Sequence, residues 1–141
     1  MNRRPIIRPQ AMKRILVVDD DIKIVAALAI RLQAAGQDVL SAYDALTGLD
    51  SAIKNQPDLV LLDIGLPSGS GLVVAESIQK LACKHMPIMF LTASRQPGLR
   101  DKAMALGAAG FLEKPFEAAE LMAAIQNALT PADDQSLAPK V

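Results

Sequence analysis

Short apolar runs alternate along this chain with longer segments in which apolar residues recur at the spacing of a helix. Residues 59–62, LVLL, form the unbroken apolar run that is typical of a parallel strand covered on both faces. After the first run, Ile22, Val25 and Leu32 share one helical face. The pattern predicts five strands, at residues 13–18, 38–42, 59–62, 88–91 and 109–113. It also predicts five helices. The first begins at residue 22 and is stopped by Gly36, the second and third cover 45–53 and 72–82, the fourth ends at about 106, and the fifth covers 118–129.

Strands that alternate with helices in this way favour an α/β domain with a doubly wound, five-stranded parallel sheet. Right-handed crossovers and the strand order 2-1-3-4-5 would place a ligand crevice at the carboxyl ends of strands 1 and 3. All of these elements fit one domain over residues 12–130. A basic N-terminal extension at 1–11 precedes it, and a polar tail or the start of a linker at 131–141 follows.

The composition narrows the class of protein. The charges of the 15 basic and 15 acidic residues cancel, so the net charge gives no reason to expect nucleic-acid binding. No apolar stretch reaches the roughly 18–20 residues that span a bilayer. The single cysteine, Cys83, excludes an intramolecular disulfide and suits the reducing cytoplasm. We assign Cys83 to the helix before strand 4 and expect a small buried side chain there. We therefore expect a cytoplasmic domain that contacts neither nucleic acid nor a membrane.

Polar residues follow four of the five predicted strands. They are Asp19, Asp20 and Asp21 after strand 1, Asp63 after strand 3, Thr92 after strand 4 and Lys114 after strand 5. The carboxyl ends of parallel strands lie on one edge of a sheet, so these side chains are expected to converge there. Crowded carboxylates raise one another's pKa unless a cation neutralises them. An all-oxygen acidic cluster suits a hard ion, Mg²⁺ or Mn²⁺.

A carboxylate in such a cluster is a candidate nucleophile toward a phosphoryl group. Transfer then requires mainly positioning and charge neutralisation, which Lys114 and the Thr92 hydroxyl can provide. Each residue also has a simpler interpretation. Asp20 or Asp21 fits a helix N-cap, and Thr92 or Lys114 alone fits an ordinary strand-end or surface residue. The joint occurrence of these residues, rather than any one of them, favours phosphoryl chemistry.

Four sequence blocks resemble the receiver domains of two-component response regulators, of the kind found in chemotaxis regulators. The blocks are ILVVDDD at 15–21, DLVLLDIGLPSGSGL at 58–72, FLTAS at 90–94 and FLEKPF at 111–116. The likeness extends over about residues 12–129 and holds in both the order and the spacing of the blocks. It implies a flavodoxin-like (βα)5 fold. It also implies a signalling phosphoacceptor, not an enzyme, that receives its phosphoryl group from a sensor histidine kinase or a phosphotransfer protein.

The resemblance assigns a role to each residue at the strand ends. It makes Asp63 the phosphoacceptor, and it makes Thr92 and Lys114 the ligands of the phosphoryl oxygens. The implied magnesium ligands are Asp19, Asp20, Asp63 and the backbone carbonyl of Gly65. The Lys114–Pro115 peptide bond is expected to be cis, a form tolerated mainly before proline.

The resemblance also implies a switch. Phosphorylation adds nearly two negative charges, and Thr92 would move toward them and leave space for Phe111. Helix 4, strand 5 and helix 5, about residues 96–129, would then form the output surface for a downstream protein or for a second copy in a homodimer. Phe111 has no hydroxyl, so this switching would rest on packing; a plain core aromatic is the alternative. Gly65 and Ser94 offer no acid or amide to orient a water, so fast self-dephosphorylation is not expected.

Three other functions compete with this interpretation. A haloacid-dehalogenase-type phosphatase would use the D-x-D of Asp19 and Asp21, but Lys23 stands where that motif has Thr or Val. That class would phosphorylate Asp19 rather than Asp63. A flavodoxin shares the strand order, but three aspartates would repel the flavin phosphate. A pure interaction module that takes no phosphate is the third alternative, against which the complete set of site residues argues.

Overall fold

The computed structural model describes residues 12–67 and 69–130. In chain order the strands are β1 (Arg14–Val18), β2 (Asp38–Ala42), β3 (Leu59–Asp63), β4 (Gly65–Leu66), β5 (Gly69–Ser70), β6 (Ile88–Thr92) and β7 (Gly110–Glu113). Five of them form a parallel sheet in the order β2-β1-β3-β6-β7, and β4 pairs with β5 in an antiparallel hairpin. Because the hairpin strands take two numbers, this is the predicted order 2-1-3-4-5. The extension at 1–11 and the tail at 131–141 lie outside the described residues.

Within residues 12–67 and 69–130, five helices cover both faces of the sheet. They are α1 (Ile22–Ala34), α2 (Ala45–Asn55), α3 (Gly71–Leu81), α4 (Leu99–Ala105) and α5 (Ala118–Leu129). Alternate strand residues point to opposite faces, which produces two core layers. Leu16 and Leu62 pack with residues of α2, α3 and α4, whereas Val17 and Leu61 pack with residues of α1 and α5. The doubly wound fold class is therefore confirmed.

The strand register brings the carboxyl ends together. Val18 at the end of β1 pairs with Ala42 on one side and with Leu62 on the other. In the next two ladders, Asp63 pairs with Leu91 and Thr92 pairs with Glu113. The residues after these strands consequently lie along one edge of the sheet, as the parallel topology requires.

Two local features differ from the sequence predictions. The loop predicted at 65–71 contains the β4–β5 hairpin, and α3 begins at Gly71. Cys83 was expected to be a small buried residue of a helix, and this expectation is wrong: the side chain is exposed and follows α3. The reason is that Ala82 adopts an extended conformation, with φ −71° and ψ 142°, and so ends the helix before Cys83. Among the described residues, no helix combines the length and the hydrophobicity needed to cross a bilayer.

Candidate functional site

The three consecutive aspartates after β1 take three different environments. Asp21 is the N-cap of α1, where Oδ1 accepts hydrogen bonds from the backbone N–H groups of Lys23 (3.0 Å) and Ile24 (3.3 Å). Asp19 is fully buried, and its Oδ1 accepts a hydrogen bond from the Asp21 N–H at 2.9 Å. Asp20 is exposed. Asp21 therefore satisfies the start of the helix, while Asp19 and Asp20 supply carboxylates to the edge of the sheet.

Asp19, Asp20 and Asp63 form a cluster of carboxylates. Each offers one oxygen atom, and these atoms all lie within 4.8 Å of one another. Asp19 directly follows β1 and Asp63 is the last residue of the neighbouring strand β3, and the two residues are 0% and 5% exposed. Ionised carboxylates are acceptors only, and a set of this kind fits a hard cation that keeps part of its water shell. The chemistry of the donor atoms is thus suited to Mg²⁺ or Mn²⁺.

Lys114 follows β7 and supplies the positive charge of the cluster. Its Nζ lies 2.6 Å from Oδ2 of Asp19 and 3.4 Å from Oδ2 of Asp63, with 14% of the lysine side chain exposed. Burial by itself would lower the pKa of Lys114, but the hydrogen bond and charge of Asp19, together with the charge of Asp63, outweigh it and raise the pKa. Lys114 is therefore a firmly charged ammonium group that lies closer to Asp19 than to Asp63.

The environment of Asp63 favours a neutralising partner. Burial raises the pKa of the Asp63 carboxyl, and the charge of Asp19 raises it further. The hydrogen bond that Oδ1 accepts from the Gly65 N–H, at 3.0 Å, opposes this increase, as does Lys114. Because the pKa of Asp63 is raised on balance, its ionised carboxylate is less stable in this environment than it would be in water. A bound cation beside it would relieve that cost.

Thr92 lies at the end of β6 and is 1% exposed. Its hydroxyl oxygen accepts a hydrogen bond from the Ser94 N–H at 3.0 Å, within its own loop. Its carbonyl oxygen accepts a hydrogen bond from the Lys114 N–H at 2.7 Å, which joins the two strand ends directly. The Lys114–Pro115 peptide bond is cis. The structure thus brings Thr92 and Lys114 side by side at the edge that carries the carboxylate cluster.

Phe111 lies on β7 and is half-buried against the core layer that contains Phe90. The guanidinium carbon of Arg100, on α4, lies 5.2 Å from the centroid of the Phe111 ring. This distance is within the range of a cation–π contact. The sequence offered no signal for this pairing, because it depends on how α4 packs across β7.

Arg95 is a second residue that the sequence did not single out. Its Nη1 lies 3.0 Å from Oε2 of Glu113, and its Nη2 donates to the carbonyl oxygen of Lys114 at 2.9 Å. Arg95 therefore links the loop after β6 to the end of β7. The ion pair is exposed and contributes little by itself, but the link holds together the two segments that carry Thr92 and Lys114.

Comparisons with known proteins identify the family. A sequence profile of the response regulator receiver domain matches residues 15–126. The chain is 36% identical over 125 residues to the DNA-binding dual master transcriptional regulator RpaA of Synechocystis, which covers 86% of this chain and 51% of the relative. It is 42% identical over 113 residues to the transcriptional regulatory protein DltR of Streptococcus agalactiae, which covers 80% of this chain and 50% of the relative. The chain spans about half the length of these curated relatives.

A solved structure agrees with the sequence match. The crystal structure of a CheY-like response regulator receiver domain from Methanospirillum hungatei aligns with a TM-score of 0.80 at 29% identity, over 89% of this chain and 98% of that one. The profile covers most of the chain, and its boundaries enclose every strand end of the carboxylate cluster. This chain belongs to the response regulator receiver domain family of two-component signalling.

Proposed function

We propose that this receiver accepts a phosphoryl group on Asp63 and that a sensor histidine kinase or a phosphotransfer protein is the donor. The observation that carries the proposal is the carboxylate cluster, in which Asp63 lies within reach of two further aspartates and of Lys114. A carboxylate in this setting is a competent nucleophile toward phosphorus. Its Oδ2 forms the new O–P bond while the bond from phosphorus to the donor atom breaks.

Asp19 and Asp20, with Asp63 and the Gly65 carbonyl, are the residues that would hold Mg²⁺ or Mn²⁺. The donor set supports this choice, since the three carboxylate oxygens are close together and two of the three residues are buried. When bound, the cation supplies positive charge to the attacking carboxylate and to the phosphoryl oxygens. Asp21 has no part in this set, because its carboxylate is engaged at the N-terminus of α1.

Lys114 and Thr92 are the residues that we propose to bind the remaining phosphoryl oxygens. Lys114 has to move its ammonium group away from Asp19, where its shorter contact lies, toward the new group on Asp63. Thr92 has to turn its hydroxyl toward the same group. Both residues then neutralise charge that phosphorylation creates, which is the main requirement of phosphoryl transfer.

The proposed output begins at Phe111. Movement of Thr92 opens space beside β6, and the half-buried Phe111 ring would turn into it and leave the Arg100 guanidinium. Phosphorylation of Asp63 would in this way shift the surface formed by α4, β7 and α5 between two conformations. A downstream protein or a second copy of this chain would bind that surface. The relatives named above are transcriptional regulators, so we propose control of transcription as the outcome. With a net charge of zero, direct DNA contact by the receiver is not part of the proposal.

The lifetime of the phosphorylated form is proposed to be ordinary or long. Gly65 and Ser94, two residues after Asp63 and Thr92 respectively, provide no acid or amide that would orient an attacking water. Loss of the label with a half-life of seconds would contradict this part of the proposal. The chain acts here as a signalling phosphoacceptor that assists its own phosphorylation, rather than as an enzyme with a separate substrate.

The experiment that tests the proposal is phosphorylation by acetyl phosphate or phosphoramidate with Mg²⁺, followed by mapping of the modified residue by mass spectrometry. We expect the label on Asp63 and none in Asp63→Asn. Label on Asp19 would instead indicate phosphatase-like chemistry. No label on the wild-type protein would indicate a receiver that acts through protein contacts alone.

A further inference from the structure

The segment that follows Asp63 makes a short excursion and comes back against Asp63 eight residues later, at Gly71. β4 and β5 pair in an antiparallel register and form the walls of this short excursion. The Gly71 N–H then donates a hydrogen bond to the Ile64 carbonyl at 2.8 Å, and α3 begins. The two ends of the excursion therefore meet directly behind the proposed phosphoacceptor.

Gly71 has no room for a side chain at this meeting point. A Cβ atom placed on it would lie 2.3 Å from the carbonyl oxygen of Asp63, 2.9 Å from its carbonyl carbon and 2.9 Å from Cα of Ile64. Real Cβ atoms essentially never approach other atoms closer than 3.0 Å. The obstructing atoms belong to the backbone, so they cannot rotate away as the end of a flexible side chain does. Any larger residue must push the start of α3 and the end of β3 apart.

This displacement would reach the reacting carboxylate. The Asp63 Oδ1 accepts its hydrogen bond from the Gly65 N–H inside the same excursion. Ser70, the N-cap of α3, accepts a hydrogen bond from the Leu72 N–H at 3.1 Å and so fixes the first turn beside Gly71. We infer that Gly71 is a positioning residue for phosphoryl transfer, because the close approach of its backbone to that of Asp63, which leaves no space for a Cβ atom, sets the position of the carboxylate. The inference rests on the proposed function of Asp63.

Gly71→Ala tests the inference, with Gly110→Ala as the matched control. The three atoms nearest to a Cβ at Gly110 all belong to the Met89 side chain, with Cγ the closest at 3.0 Å, and none of the three is a backbone atom. Both variants are labelled with acetyl phosphate over a series of Mg²⁺ concentrations that reaches saturation, and circular dichroism establishes the temperature at which each is fully folded. Misplacement of a reacting group by about 1 Å costs up to about 100-fold in rate. We expect folded Gly71→Ala to be phosphorylated about 10- to 100-fold more slowly at every Mg²⁺ concentration, and Gly110→Ala to stay within about twofold of wild type.

A purely structural role would lower the melting temperature of Gly71→Ala but leave the rate per folded molecule unchanged, and that result would overturn the inference. The same experiment reports on the proposed function separately, since failure of that proposal would leave the wild-type Asp63 without label. If Gly71→Ala unfolds, the assay is repeated in sucrose, which favours compact states. If it unfolds even there, Ser70→Ala loosens the first turn of α3 without a clash, and we expect about threefold slower labelling. An unchanged rate in that variant would also overturn the inference.

Discussion

Lys114→Ala is expected to destabilise the metal-free protein by about 2–3 kcal/mol, because it leaves Asp19 as a buried carboxylate without its cation. The Asp19 side chain is 0% exposed, and its shortest contact is with Nζ of Lys114 at 2.6 Å. Removing one partner of a buried ion pair costs about 3–5 kcal/mol. We place the expected loss below that range because Asp19 keeps the hydrogen bond from the Asp21 N–H and because Lys114 reaches solvent.

Urea denaturation in EDTA and in excess Mg²⁺ measures this loss. A ligand that binds only the folded state stabilises it by about 2.7 kcal/mol at 100 times its dissociation constant. Since Mg²⁺ would replace the missing positive charge, the difference between wild type and Lys114→Ala should shrink to about 1 kcal/mol in its presence. Asp19→Asn in the Lys114→Ala background removes the uncompensated charge and should recover part of the lost stability.

Lys54→Ala is the matched control for this experiment. Its Nζ lies 3.2 Å from Oδ2 of Asp50, but the two side chains are 72% and 58% exposed. An exposed pair four residues apart on a helix is worth about 0.3–0.5 kcal/mol, and Mg²⁺ should not change that difference. If Lys114→Ala loses no more stability than Lys54→Ala in EDTA, the charge balance described for the site is wrong. The same charge balance is also wrong if the stability lost in Lys114→Ala, like that lost in Lys54→Ala, is the same in Mg²⁺ as in EDTA.

Three further substitutions test individual residues. Asp21→Ala should lose about 1 kcal/mol of unfolding free energy because it removes the helix cap. Acetyl phosphate should nevertheless label it at a rate within about twofold of wild type, since the cap is not part of the carboxylate cluster; a tenfold lower labelling rate would show that Asp21 belongs to the site. In EDTA, Asp63→Asn should become more stable relative to wild type as the pH rises. The pKa of the Asp63 carboxyl is raised in the folded protein, so this group loses its proton at a lower pH in the unfolded chain than in the folded one. Wild type therefore loses folding stability as the pH rises above the ordinary carboxyl pKa, whereas Asp63→Asn has no such group to titrate. Urea midpoints across pH 3–8 check this, and parallel curves would contradict it. Arg100→Ala should lose about 0.5–1 kcal/mol in wild type and less in a Phe111→Leu background, as thermal unfolding of the four proteins would measure; equal losses would mean that the ring contact contributes nothing.

The part of the site that the sequence predicts well is the part that follows from topology. In a parallel sheet every strand ends at the same edge, so the position of Asp63 after an apolar run already places it near Asp19 and Lys114, residues 44 and 51 positions away. No knowledge of side-chain conformation enters that inference. The unbroken apolar runs of β1 and β3, whose alternate residues contribute to the two core layers, are equally visible in the sequence.

The contacts that the sequence does not predict depend on register and on backbone path. Arg95 reaches Glu113 only because Thr92 and Glu113 are partners in the β6–β7 ladder. Gly71 is an ordinary loop glycine in the sequence, and its role emerges only when the chain turns back on Asp63. Cys83 fits a helical position by composition, but the extended conformation of Ala82 takes it out of the helix.

The run of three aspartates shows how two competing interpretations of a motif are reconciled by geometry. Helix capping and cation binding were alternatives for the same residues, and capping by itself needs only one carboxylate. The chain direction changes between β1 and α1, so Asp19 continues the strand into the buried edge, Asp20 faces solvent, and Asp21 turns its oxygen onto the first turn of the helix. The Asp21 N–H in turn donates to Asp19. The residue that caps the helix therefore also orients the buried carboxylate, which ties the start of α1 to the charge balance that Lys114 maintains.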